Sequence, residues 1–203
     1  SGIAALINGT ATAAQASRSL KAEEESKLGA GSATAVAKDA LCIYVNPGSK
    51  VANLTAEQVT KIYKGEFKDW SEVGGAAGAI VRYQRESSSG TFEFFKEHFL
   101  GGGAAAPGSK TVNGADEISG SVAKDANGIG YGAEAHKGGA KVVTLNGVSP
   151  DAANIKSGKY AGVRDLFVVT KGAPTGHVKQ YIDFILSADG QAISKKAGFY
   201  PVK

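Results

Sequence analysis

The sequence predicts an α/β protein, and three observations carry that expectation. Short apolar, β-rich runs such as "ALCIYVN", "AIVRYQ" and "RDLFVVT" alternate with segments of helical apolar spacing along the whole chain. The helical segments are bounded by caps and glycine stops. The length of 203 residues, 42% hydrophobic and 21% charged, suffices for one large domain or two small ones with a real core. Alternation of this kind predicts largely parallel strand pairing.

The elements follow in order. "SGIAALING" opens in a helix, with Ile3, Leu6 and Ile7 at i, i+3, i+4 spacing and Gly9 placed to end it. "TATAAQASR" alternates small residues and suits a tight, buried strand, and "LKAEEESK" is a polar helix or turn. "DALCIYVNPGS" is a strand stopped at Asn46-Pro47-Gly48. In "NLTAEQVTKIYKGEFKDW" Thr55 and Gln58 form a capping box, Val59, Ile62 and Tyr63 make a buried stripe, and Gly65 stops the helix. "AIVRYQ" is the next strand and "GGGAAAPGSK" a flexible loop. "ADEISGSVAKDANGIGY" reads as a helix ending near Gly128 and the start of a strand, and "KVVTLNGV" and "RDLFVVTKG" are strands. Two helices close the chain, "HVKQYIDFIL" and "DGQAISKKAG", the second capped by Ser187 and stopped by Gly198. There is no internal repeat.

Composition narrows the function. The net charge of +4 is nearly all lysine, the only arginines being Arg18, Arg82, Arg85 and Arg164, so no nucleic-acid partner is expected. A single cysteine, Cys42, excludes an internal disulfide and a cysteine-rich metal site, and its apolar run makes it a buried, inert thiol. The longest apolar runs are too short to cross a bilayer. His98, His136 and His177 are scattered with no catalytic or metal-ligand spacing, so neither an enzyme, a metal nor a cofactor is expected. Tyr63, Tyr131 and Trp70 read as core or hinge aromatics.

One stretch carries chemistry, "RYQRESSSGTFEFFKEHF" (82–99). Phe92, Phe95 and Phe99 fall at i, i+3 and i+7, so a helix starting near Thr91 buries that face. A strand, a small flexible loop and a helix N-terminus together make an anion site, because first-turn N–H groups have no partner within the helix. Gly90 admits close backbone approach, the Ser89 and Thr91 hydroxyls can donate, and Arg85 offers a two-pronged charged donor. The alternative is an ordinary Ser/Thr cap.

"RESSSGTFEFF" resembles the arginine, serine-glycine-threonine signature of the periplasmic phosphate-binding proteins of phosphate ABC transporters. "GIAALINGTATAAQASR", "DALCIYVNP", "NLTAEQVTKIYKGEFKDWSEVGG", "GIGY", "SGKYAGVRDLFVVTKG" and "DGQAISKKAGFYPV" are similar to its other landmarks, in the same order. The resemblance implies a two-lobed type II periplasmic-binding-protein fold with crossover strands at "ALCIYVN" and "RDLFVVT" and phosphate held in the cleft. Lobe I would combine residues 1–45 and 165–203, and lobe II would be 46–164. The implied phosphate-binding residues are Arg85, Ser89, Gly90 and Thr91 in lobe II, with Gly2 and Thr12 in lobe I. The implied partners are phosphate or a similar oxyanion, an ABC permease in the membrane, and an extracytoplasmic setting.

Lobe I departs from the family pattern. The family's first strand, ligand loop and helix have no counterpart in this sequence, and its ligand serine would precede Ser1. The aspartate that accepts a proton from phosphate is replaced by Thr12. The arginine's usual acidic partner position holds Ser87, with Glu86 next to it. These departures leave a second expectation open: a binding-protein fold serving as a structural or assembly subunit, completed by a strand from a second polypeptide.

Overall fold

The computed structural model describes residues 2–202. The chain runs through α1 (Gly2–Ile7), β1 (Ala14–Ala16), α2 (Ala22–Leu28), β2 (Ala33–Ala40), β3 (Cys42–Val45), β4 (Asn53–Leu54) and α3 (Ala56–Tyr63). It continues with β5 (Val81–Arg85), α4 (Gly90–Leu100), β6 (Lys110–Val112), α5 (Ala115–Lys124), β7 (Gly128–Gly132) and β8 (Lys141–Leu145). The last elements are α6 (Ala152–Lys156), β9 (Val163–Val169), α7 (Gly176–Leu186) and α8 (Ala188–Lys196). Two compact units result. One holds the chain up to Asp39 and from Val163 onward, the other Ala40–Gly162.

The first unit is a three-stranded sheet in the order β1-β9-β2, with β1 antiparallel to β9. Ile3, Leu6 and Leu28 from α1 and α2 pack with Ala14 and Val169. Val36, Val168 and Ile182 form a second cluster that includes α7. Two ion pairs tie β2 to β9: Arg164 donates to Asp39 Oδ2 at 2.9 Å, and Lys38 to Asp165 at 2.6 Å. Gln191 of α8, itself buried, donates to Val36 O at 2.9 Å and so fastens that helix to the sheet.

The second unit is a six-stranded sheet in the order β4-β8-β3-β7-β5-β6. Five of its six strands run in one direction, as expected, and β3 alone opposes them. β3 runs antiparallel to both β7 and β8, and parallel pairing is found at β4–β8, β5–β6 and β5–β7. The reason is topological. β3 enters by crossing from the first unit, so no βαβ connection to its neighbours constrains its direction. Residues 40–45, expected in lobe I, therefore lie in the second unit, because Cys42–Val45 is hydrogen-bonded on both sides there.

Each face of this sheet is covered. Ile118 and Val122 of α5 pack with Cys42, Tyr44 and Tyr83 on one. Opposite them Tyr63 of α3, Phe95 of α4 and Tyr131 of β7 form an aromatic cluster. The expected capping box of α3 is present, Gln58 N–H donating to Thr55 Oγ1 and Thr55 N–H to Gln58 Oε1. At the crossover, Leu41 N–H donates to Gly162 O at 2.8 Å, and a Cβ on Gly162 would stand 2.3 Å from Leu41 O. Only glycine permits that approach. Trp70 is buried beside this sheet, its Nε1–H donating to Asn127 O at 3.0 Å.

Candidate anion site

β5 delivers Arg85 to the end of its strand, and α4 begins five residues later at Gly90. The turn between them is held by backbone: Glu86 N–H donates to Val112 O, and Ser89 N–H to Glu86 O at 3.0 Å. Ser89 is the N-cap, extended in backbone (φ −74°, ψ 128°), and its hydroxyl accepts from Phe92 N–H at 3.4 Å. The helix thus starts one residue earlier than its apolar spacing suggests. Phe94, Phe95, Phe99 and Leu100 are its buried residues, while Phe92, in the first turn, is only half-buried.

A cap and an anion site are not exclusive here. Ser89 satisfies one N–H of the first turn and retains its own hydroxyl proton to donate. The Thr91 hydroxyl makes no hydrogen bond among the described residues. Gly90 is more telling. It has no positive φ, and a Cβ placed on it would meet nothing within 4 Å. Neither the backbone nor the packing of this unit demands glycine at an exposed helical position where alanine would hold the helix better. Backbone without a side chain at a helix N-terminus is what a close-approaching anion uses.

Arg85 faces this turn with a constraint of its own. Its Nε and Nη2 both donate to Glu86, at 3.0 Å to Oε2 and 3.0 Å to Oε1, and Nη2 reaches Asn113 O at 3.5 Å. Nη1 has no partner among the described residues. The carboxylate therefore fixes the guanidinium in one plane and leaves one edge of it for a ligand. The hydrogen bonds from Arg85 hold the Glu86 carboxyl below the usual carboxylate range. Glu86, and not a residue at position 87, is thus the arginine's acidic partner in this chain; its adjacency in sequence was the available signal.

Tyr131, expected as a core or hinge aromatic, is buried and has a further contact that local pattern does not show. Its hydroxyl accepts from Arg85 N–H at 3.3 Å, and burial pushes the phenol up. Gly2 and Thr12 belong to the first unit. Gly2 opens α1 with its Cα close to β1, where an added Cβ would lie 3.3 Å from Ala14 Cβ. Thr12 is exposed in the bend before β1. Among the described residues no group of three or more His, Cys, Asp or Glu could hold a metal ion, and no helix is long and apolar enough to cross a membrane.

Residues 1–189 match the PBP superfamily domain. The chain is 31% identical over 220 residues to the phosphate-binding protein PstS of Borreliella burgdorferi, covering 100% of this chain and 76% of that protein. It is 33% identical over 161 residues to PstS of Bacillus subtilis, covering 78% of this chain and 53% of that one. Among solved structures it resembles an ABC-type phosphate transport receptor from Vibrio cholerae with a TM-score of 0.88 at 27% identity, covering 98% of this chain and 83% of the other.

Proposed function

The chain belongs to the PBP superfamily and, within it, to the phosphate-binding proteins; from that premise we propose that it binds phosphate or a related oxyanion outside the cytoplasm and delivers it to an ABC permease in the membrane. The observation that supports this is the strand–turn–helix of β5 and α4, with Ser89, Gly90 and Thr91 opening the helix and Arg85 at the end of the strand before it. First-turn N–H groups, two hydroxyls and one edge of a guanidinium would supply the donors, with no chemical step performed on the anion. Gly2 and Thr12 would contribute from the first unit. With Thr12 where the family resemblance implies an aspartate, the site would lack a group that accepts from a protonated oxyanion and repels one without a proton.

Calorimetry with inorganic phosphate tests the assignment. Arg85→Ala removes a charge-assisted donor and should cost about 2–3 kcal/mol of binding, or roughly 30- to 150-fold in Kd. Equal affinity in wild type and variant would leave the motif as a helix cap and nothing more.

A second reading is favoured by one feature of the first unit. β1 ends its sheet, and beside it runs a groove of about 480 Å3 lined by Ala16, Val36, Phe167, Tyr181, Ile185 and Phe199, among others. Tyr181, Phe184 and Ile193 are exposed large apolar side chains on the same two helices, α7 and α8. An assembly subunit whose sheet is extended by a strand from a second polypeptide would use such an edge. Native mass spectrometry of the material as isolated from its source separates the readings: a stoichiometric second chain supports assembly, and a lone chain that binds phosphate supports the receptor.

A further inference from the structure

We propose that Tyr131 is a positioning residue of the anion site, setting Arg85 at its distance from the N-terminus of α4; this rests on the phosphate-binding reading above. The argument begins where the β-ladder opens. The paired residues of β5 and β7 are Val81 with Gly128 and Arg82 with Ile129, so the register stops three residues short of Arg85. Beyond that point the two strands part, and the backbone groups of β5 need other partners.

Two tyrosine hydroxyls take that place. Tyr63 Oη donates to Tyr83 O at 2.8 Å, with Ile129 O at 3.4 Å, and spans the opening between the strands. Tyr131 Oη accepts from Arg85 N–H at 3.3 Å. Arg85 is therefore held on its β6 side by the strand register and on its β7 side by a side chain. The same ring of Tyr131 lies flat on Phe95 of α4, with centroids 3.9 Å apart and planes 2° from parallel. One residue thus touches both elements that supply donors: the strand bearing the guanidinium through its oxygen, and the helix bearing Ser89, Gly90 and Thr91 through its ring. Tyr131 is fully buried, so it acts through Arg85 and α4 and not by touching an anion itself.

The variant that isolates this role is Tyr131→Phe, which keeps the ring stack and removes only the acceptor. Two measurements are made on it. Calorimetry with inorganic phosphate should give a Kd raised roughly tenfold, the scale set by one part-buried N–H left without a partner. NMR without ligand, well below the melting temperature, reads the exchange of the arginine Nε–H protons. The Arg85 Nε–H, held on Glu86, should exchange faster in the variant, while that of Arg164, held on Asp39 Oδ2 at 3.1 Å in the other unit, should not. A structural loss spread over the protein would accelerate both. An unchanged Arg85 Nε–H, or acceleration of both protons, overturns the proposal whether or not phosphate binds. A wild type that binds no phosphate refutes the functional assignment alone, because the exchange measurement needs no ligand.

Discussion

The two units bury their sheets to different degrees. In the second, α5 covers one face and α3 and α4 the other, and Tyr63, Phe95 and Tyr131 are at most 2% exposed. In the first, β1 is a three-residue end strand, a groove runs along the sheet, and Tyr181, Phe184 and Ile193 are 48–58% exposed. The contrast tracks the six residues proposed for the site. Four of the six lie in the unit whose packing is closed, where helix and strand are braced by aromatic stacking. The two in the other unit sit at a helix start and in an exposed bend. A donor set that must hold its spacing to a few tenths of an ångström needs a rigid support, and only the second unit supplies one from its own residues.

The contrast can be broken most forcefully by truncating one aromatic in each unit. Phe95→Ala, in the closed core, should cost about 3–5 kcal/mol of stability. Phe184→Ala, on the open face, should stay within about 0.5 kcal/mol. Urea unfolding of both variants checks this, and a large loss from Phe184 would mean that the first unit's face is less open than described.

A smaller effect should come from restoring charge to the first unit. Thr12→Asp returns a carboxylate that repels an oxyanion with no proton to share. The preference for phosphate over sulfate should widen by roughly tenfold, about 1.4 kcal/mol. Competition calorimetry measures it, and an unchanged ratio would remove Thr12 from the site.

The smallest effect sharpens the second unit's part. Gly90→Ala should raise stability by about 0.4–1 kcal/mol, since the new methyl meets open space and the unfolded chain loses freedom. Phosphate affinity should fall in the same protein. A stabilised variant with undiminished affinity would show that no anion approaches that backbone.

The legibility of these features in sequence follows from how local their causes are. The strand–turn–helix at 81–100, the Thr55–Gln58 box and the Ser187 cap were all readable, because each is written within a few consecutive residues. β2 was not. Its sequence "ATAVAKDA" mixes alanines with Lys38 and Asp39, poor strand formers by propensity, and those charges are paired with Asp165 and Arg164, distant in sequence. β4, with two residues, β6, with three, and α6, with five, are too short to display a period. Glu86 stands next to Arg85 in the sequence, but its two-pronged grip is a fact of side-chain reach. Tyr131 was legible as a buried aromatic, but its bond to Arg85 was not, because the two lie 46 residues apart in sequence.

The burial of Trp70 bears on how this protein will be watched. It is the chain's single tryptophan, it lies in the second unit, and it is 4% exposed with its indole N–H bonded to backbone. Intrinsic indole emission consequently reports on the packing of the second unit. A melt followed by that emission records the loss of packing around Trp70 in the second unit, whereas far-ultraviolet dichroism records both units. Coincidence of the two curves is then a direct measure of whether the units unfold as one cooperative body, and the chain provides that pair of probes without a label.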